Sequence, residues 1–418
     1  MDYSKKILII QSFNANKGDN SVISVMLSSL QKYNFDISIT AFDPIKAQKE
    51  HNIKASEYLF SFREMKLANS KFSFLWAGIC EATWLFYSLF VLLSLKLNFY
   101  LPVPDRKKGV IMAYKNADVI VLPGGHFFTN FNSLINNFSH YYALRYAQLL
   151  GKKTMVYSQT IGPYSKSITG QIEKAMANRV LSRTNKVTLR EEDSLKCYNQ
   201  SNASVTAETV FLEPIIKLNV NINKYIPENN PQFIVGCTIH HIYYKHYYSK
   251  EKYIKLMVSI FNAILSKYDC HLIIIPMEDK YKTGGDRPII QEMMNMVGSK
   301  ERISMVTDDL NSMETANLIS QSDIFIGTKT HSIVYGLKTA TPTLSISYQA
   351  KSTEFMKLFS MEHFAIPMAK LNNNNFIDLF DELYLNRAKL KKQMQDMSFI
   401  VEKKAEKNNT ILNELVYD

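Results

Sequence analysis

Residues 324–351, "IFIGTKTHSIVYGLKTATPTLSISYQAK", decide the fold. An apolar β-branched run ends at Gly327, a helical pattern follows, Pro342 breaks it, and "TLSIS" returns to β character. Strand, turn, helix, turn and strand in that order make the βαβ unit of a parallel sheet. In such sheets ligands bind beyond the carboxyl ends of the strands, against helix N-termini whose free N–H groups favour anions. Lys329 and His331, the latter one of 9 histidines, stand at that place.

The same rhythm extends in both directions. "KILII" at 6–10, "DVIVLP" at 118–123, "KTMVYS" at 153–158 and "KVTLR" at 186–190 are each followed by a helix-length segment. Residues 213–231 are rich in proline and asparagine and read as a linker or an edge crossing. The pattern then restarts with "FIVGCTI" at 233–239, "HLIIIP" at 271–276, "DIFIG" at 323–327 and "TLSIS" at 343–347. Alternation of this kind specifies parallel sheets covered by helices on both faces. A chain of 418 residues also exceeds what one core fills, about 250 to 300 residues. The expected fold is α/β, with two Rossmann-like domains facing a cleft, 1–215 and 216–380, and a C-terminal helix over 381–418.

Composition narrows the function. A chain 46% hydrophobic and 21% charged is globular. Cys80, Cys197, Cys237 and Cys270 are far apart and form no CxxC pair, which argues against a disulfide framework or zinc site and for a reducing compartment. The first apolar run is about five residues long, short for a signal-peptide core and suited to a buried strand, so a cytoplasmic location is expected. A net charge of +11 suggests an anionic partner. The basic residues are dispersed and no nucleic-acid motif is present, so phosphorylated substrates or an anionic membrane surface fit better than nucleic acid.

Residues 74–95, "FLWAGICEATWLFYSLFVLLSL", hold one charge, Glu81, in a length able to span a bilayer. Three readings compete: a buried or cleft-side helix, a helix resting in the membrane interface, and a span. The span is disfavoured because strands of one expected domain lie on both sides of it. Lys96, Arg106, Lys107 and Lys108 follow the segment, as they would beside anionic lipid.

Several polar positions fall at expected strand ends. Asp19 lies in a loop opening the first helix, where an N-cap is the plain reading. Gly124 and Gly125 precede His126 and let backbone approach a ligand. Arg190 ends a strand, where a guanidinium suits carboxylate or phosphate, whereas Glu191, Glu192 and Asp193 after it suit a helix dipole and need no other reason. His240, His241 and Tyr243 cluster after another strand, with sugar stacking, a metal site or a plain surface loop as alternatives. Asp286 belongs to a loop after the next strand. No P-loop, zinc spacing or Ser-His-Asp order is present.

Taken in order, "NKGD", "PGGHFF", "QTIGP", "LREEDSL", "TAETVFLEP", "GGD" and "GTKTHSIVYGLKTATPTLSISYQAK" resemble the polysaccharide pyruvyl transferase family over about residues 7–360. That family is similar in fold to two-domain GT-B glycosyltransferases. The resemblance implies transfer of the enolpyruvyl unit of phosphoenolpyruvate onto two hydroxyls of a sugar in a cell-surface polysaccharide or lipid-linked precursor, giving a pyruvate ketal and phosphate. It implies acid/base work for His331 and phosphoenolpyruvate binding by Arg190, Lys329, Lys351, Gly124 and Gly125. Asp19, His126, His240, His241, Tyr243 and Asp286 are left as acceptor or cleft candidates. No metal and no cofactor beyond phosphoenolpyruvate as co-substrate is expected, and the work would be done at the inner face of the cytoplasmic membrane. The chain departs from the family pattern in Lys329, where arginine is usual, in Pro123 before the two glycines, and in Glu208, where aspartate is commoner. Two alternatives remain: a GT-B glycosyltransferase using a nucleotide sugar, and a non-catalytic membrane-associated assembly protein.

Overall fold

A computed structural model describes residues 4–13, 17–61, 70–99, 101–130, 134–212, 220–226, 231–241, 245, 247–278, 285–348 and 350–418. Tyr243 and much of the expected linker, 213–219 and 227–230, lie outside the described residues. The chain divides into unit 1, Met1–Glu213 with Glu402–Asp418, and unit 2, Pro214–Val401.

In unit 1 the elements run β1 (Lys5–Phe13), α1 (Lys17–Leu30), β2 (Phe35–Ala41), α2 (Pro44–His51), β3 (Lys54–Glu57), α3 (Lys71–Leu97), α4 (Asp105–Asn116), β4 (Val119–Leu122), β5 (Gly125–Phe128), α5 (Leu134–Leu149), β6 (Lys153–Ile161), α6 (Ile168–Leu181), β7 (Lys186–Leu189) and β8 (Ala203–Val205). The strands form one parallel sheet in the order β3-β2-β1-β4-β6-β7-β8, with β5 pairing β6 off that path. Successive side chains of a strand point to opposite faces. Leu8, Ile10, Ile120 and Leu122 therefore enter one apolar cluster, and Ile7, Ile9, Val119 and Val121 enter the other. Apolar burial on both faces is why these strands read as continuous hydrophobic runs.

Unit 2 contains β9 (Phe233–Cys237), α7 (Lys250–Lys267), β10 (Cys270–Ile274), α8 (Arg287–Met296), β11 (Ile303–Met305), α9 (Ser312–Ser320), β12 (Ile324–Gly327), α10 (Thr330–Lys338), β13 (Thr343–Ser347), α11 (Ala350–Leu358), β14 (Ala365–Pro367) and most of α12 (Asn373–Tyr417). Its parallel sheet has the order β11-β10-β9-β12-β13-β14. This is the Rossmann order, and its direction reverses between β9 and β12.

α12 is longer than the expected tail helix and is shared between the units. Ile411, Leu412, Leu415 and Val416 bury against the Ile7 and Ile9 face of unit 1, a helical spacing that gives one apolar stripe. Asn409 accepts a bond from Tyr157 Oη at 2.5 Å, and Asn408 accepts one from Thr206 Oγ1 at 2.8 Å.

α3 starts with a capping box between Ser70 and Ser73 and ends at Asn98 in the left-handed region. Its inward stripe includes Glu81, Trp84, Ser88, Val91 and Leu92. Trp84 Nε1 donates to Leu59 O at 2.6 Å, and Ser88 Oγ lies 2.5 Å from Tyr142 Oη. Two of the basic residues expected to face lipid do otherwise. Lys107 is buried, donating to Tyr58 O at 2.9 Å and lying 5.8 Å from the Trp84 ring centre, and Arg106 pairs with Glu81 at 3.1 Å. Arg106 is drawn to Glu81, an acid packed inward that requires a cation, and Lys107 lies 3.8 Å from Glu57 Oε2.

Candidate functional site

In unit 2, β9 and β12 are neighbours on either side of the reversal in strand order, so the loops leaving their carboxyl ends form the place where a doubly wound sheet accepts a ligand. Those loops are tied together. Thr328 N donates to Thr238 Oγ1 at 3.0 Å, Thr328 Oγ1 donates to Thr238 O at 2.8 Å, and Thr238 Oγ1 lies 2.8 Å from Ser332 Oγ. Gly327 permits this closeness, since a Cβ there would stand 2.5 Å from Ile333 Cγ1. Lys329 is the N-cap of α10, and its carbonyl accepts from Ile333 N at 3.0 Å and Ser332 Oγ at 2.7 Å. His331 follows in the first helical turn, partly buried.

Lys329 does not extend alone into solvent. Its Nζ pairs with Asp286 Oδ2 at 2.8 Å and with Glu278 Oε2 at 3.2 Å. Asp286, wholly buried, also accepts from Met277 N at 3.0 Å, Glu278 N at 2.9 Å and His241 Nδ1 at 2.7 Å. Burial pushes the Asp286 carboxyl upward, but the His241 bond and the Lys329 charge outweigh it, so the net shift is below the usual carboxylate range. An ionised Asp286 fixes His241 through Nδ1 and leaves Nε2 as the nitrogen for a substrate, the arrangement in which a carboxylate orients a histidine base. His240 is buried beside it, edge-on to the Tyr348 ring at 5.1 Å. The donor atoms of His241, Glu278 and Asp286 lie within 4.8 Å of one another, a spacing able to hold a cation. The Lys329 ammonium supplies positive charge there, so a metal ion would compete with it.

Unit 1 has its own cluster at the carboxyl ends of β6, β7 and β8. Arg190 is 5% exposed. Its Nε donates to Thr160 Oγ1 at 2.6 Å and lies 3.3 Å from Glu191 Oε2, while Nη1 pairs with Glu208. Glu191 was expected to serve only a helix dipole. It is instead buried, accepting from Thr160 Oγ1 at 3.1 Å and from Ser194 Oγ. Burial raises the Glu191 carboxyl despite Arg190 and the two hydroxyls. Gly124 belongs to this neighbourhood, because a Cβ there would come within 3.2 Å of Ser158 O and 3.4 Å of Glu208 Oε1. Ser158, at φ 51°, holds a left-handed backbone uncommon for a residue with a side chain, and Gln11 at the end of the β1 core does so at φ 54°. Such backbones concentrate at functional sites.

The structure thus gathers Lys329, Asp286 and His241 into one hydrogen-bonded group, with His240 stacked on His241 and His331 two residues along from Lys329. Arg190 and Gly124 form a separate neighbourhood in unit 1 with Glu208. Gly125 and His126 begin β5, where Phe127 stacks between His126 and His140, 3.8 Å from the latter. Asp19 falls in α1 and Lys351 in α11. Glu278 carried no signal in the sequence: it lies 51 residues from Lys329, and only the sheet brings them together.

The profile of the polysaccharide pyruvyl transferase family matches residues 16–350. The chain belongs to this family. As a pyruvyl transferase family member it is 24% identical over 410 residues to the amylovoran biosynthesis protein AmsJ of Erwinia amylovora, covering 93% of this chain and 94% of that protein. Among solved structures, the UDP-GlcNAc 2-epimerase of Neisseria meningitidis bound to UDP-GlcNAc superposes with a TM-score of 0.60 at 13% identity over 99% of both chains. A glycosyltransferase from Rickettsia africae gives a TM-score of 0.58 at 13% identity, again over 99% of both. At such identities the likeness is one of fold: two Rossmann-like domains of the GT-B kind, as the family resemblance implied.

Proposed function

We propose that this pyruvyl transferase family member moves the enolpyruvyl unit of phosphoenolpyruvate onto two hydroxyls of a sugar in an exopolysaccharide, capsule or lipid-linked precursor, on the cytoplasmic side of the membrane. Family membership and the likeness to a biosynthesis protein for one such polysaccharide support a role in polysaccharide modification. The observation that carries the chemistry is Lys329 and His331 at the N-terminus of α10, with His241 oriented by the same Asp286 carboxylate that holds Lys329.

The reaction moves two protons. Protonation of the methylene carbon gives oxocarbenium character at the neighbouring carbon, a sugar hydroxyl adds there, phosphate leaves, and the second hydroxyl closes the ketal. One hydroxyl proton is balanced by the new methyl group and the other by the departing phosphate. His331 is assigned the proton delivery to carbon, and His241 the removal of a hydroxyl proton through Nε2. In unit 2, Lys329 and Lys351 are assigned to the donor's carboxylate and phosphate, an electrostatic role, and Arg190 of unit 1 keeps the anion-binding role that the family resemblance implies. Phosphoenolpyruvate enters as co-substrate, and the scheme asks for no further cofactor.

The test is phosphate release and ketal formation from phosphoenolpyruvate with a lipid-linked glycan, in wild type and His331→Ala. Turnover should fall about 10² to 10⁴-fold while phosphoenolpyruvate affinity stays within about tenfold. Thermal protection by a nucleotide sugar and none by phosphoenolpyruvate would favour the glycosyltransferase alternative, since a ligand at about 100 times its Kd adds roughly 2.7 kcal/mol.

A further inference from the structure

α3 is long and apolar enough to cross a membrane, yet its two sides differ. The inward stripe is pinned to unit 1 by the Trp84 and Ser88 hydrogen bonds and by the Glu81–Arg106 pair. None of the first ten residues, 71–80, is buried. The opposite stripe carries Leu75, Trp76, Ile79, Phe86, Phe90 and Leu93, all exposed, with Phe86 at 66% and Phe90 at 62%. Spacings of three, four and seven residues put them on one face, about 27 Å long from Leu75 to Leu93 at 1.5 Å per residue. An exposed apolar stripe this continuous marks an interaction surface.

The occupant is indicated by charge and shape. The only acid of α3, Glu81, is buried and paired, whereas Lys71 and Lys96 at its two ends are exposed. The outward surface is therefore apolar with a cation at each end. A spanning helix needs lipid on every side, which would strip Glu81 and Arg106 of each other. A helix lying in the interface needs lipid on one side only, and basic residues at its margins favour anionic headgroups. We propose that the outward face of α3 rests in the interface of a bilayer containing anionic phospholipid. The inference does not rest on the pyruvyl-transfer reading, because binding requires neither donor nor acceptor.

The experiment is co-sedimentation of the full chain with vesicles of phosphatidylcholine alone and of phosphatidylcholine with phosphatidylglycerol, at low and high salt. Wild type should bind the anionic vesicles, and high salt should weaken that binding. Phe86→Glu with Phe90→Glu should lower the partition coefficient at least tenfold with an unchanged melting temperature, as should Leu75→Glu with Trp76→Glu. Leu92→Glu, on the buried side, should unfold the protein instead. Wild type remaining in the supernatant while folded would overturn the proposal. So would binding by both double variants equal to that of wild type, or a dimer in light scattering that the Phe86 and Phe90 substitutions convert to monomer with no vesicle binding, which would assign the face to a second copy of the chain.

Discussion

Asp286→Asn would test the organisation of the unit 2 site directly. Four donors converge on this carboxylate: Met277 N, Glu278 N, Lys329 Nζ and His241 Nδ1. An asparagine offers one acceptor oxygen and an NH2 that can only donate. If the oxygen keeps the two backbone N–H groups and Lys329, the NH2 faces His241, whose Nδ1 must then accept and whose Nε2 must carry the proton. The base is thereby held in the wrong tautomer. Asp286 is fully buried and the Lys329 side chain is 11% exposed, so removing the charge leaves a buried ammonium without its main partner, at a cost of about 3 to 5 kcal/mol. For a unit the size of residues 214–401 this is about 6 to 20 °C in melting temperature. Calorimetry on Asp286→Asn, Lys329→Met and the double variant would yield the coupling energy, expected at about 0.5 to 3 kcal/mol for groups in contact. Pyruvyl transfer by the Asn variant should fall about 10² to 10⁴-fold. Additive single effects, or a melting temperature within 2 °C of wild type, would refute the reasoning.

Lys329→Arg restores the residue usual in the family, and its guanidinium can reach both Asp286 and Glu278; kcat/KM should stay within about tenfold, and a loss beyond about a hundredfold would show that the pocket requires an ammonium. Glu191 has a raised carboxyl in the fold, so the native state holds its proton more tightly than the unfolded chain, and its contribution is favourable at low pH and declines as pH rises through the folded value. Glu191→Gln should therefore lose less melting temperature between pH 5 and 8 than wild type, and parallel melting profiles would contradict that.

The main strands were legible because burial on both sheet faces leaves runs such as "KILII" and "TLSIS" with no polar alternation to confuse them. β8, β11 and β14 are three residues each, too short to carry a period. Lys329 and Arg190 were legible as cations at strand ends, and Asp286 and Glu208 were picked out as acids, but their pairing with those cations was not. Glu278 and Glu208 reach them from other strand ends, a proximity created by topology. Residues 74–95 show the same limit. Composition marks the segment as apolar, yet Leu92 packs inward and Phe90 outward because the Glu81, Trp84 and Ser88 stripe fixes the rotation of the helix.

The sharing of α12 also sets a timetable for biosynthesis. The inner face of the first sheet, formed around Ile7, Ile9 and Val121, is covered in part by residues 411–416. All of unit 2, residues 214–401, is made in between. At roughly 5 to 20 residues per second, translation leaves that face without its cover for about 10 to 40 s. The half of the protein that leaves the ribosome first is the half that closes last, and during that interval it offers a chaperone an apolar sheet as well as the bare side of α3.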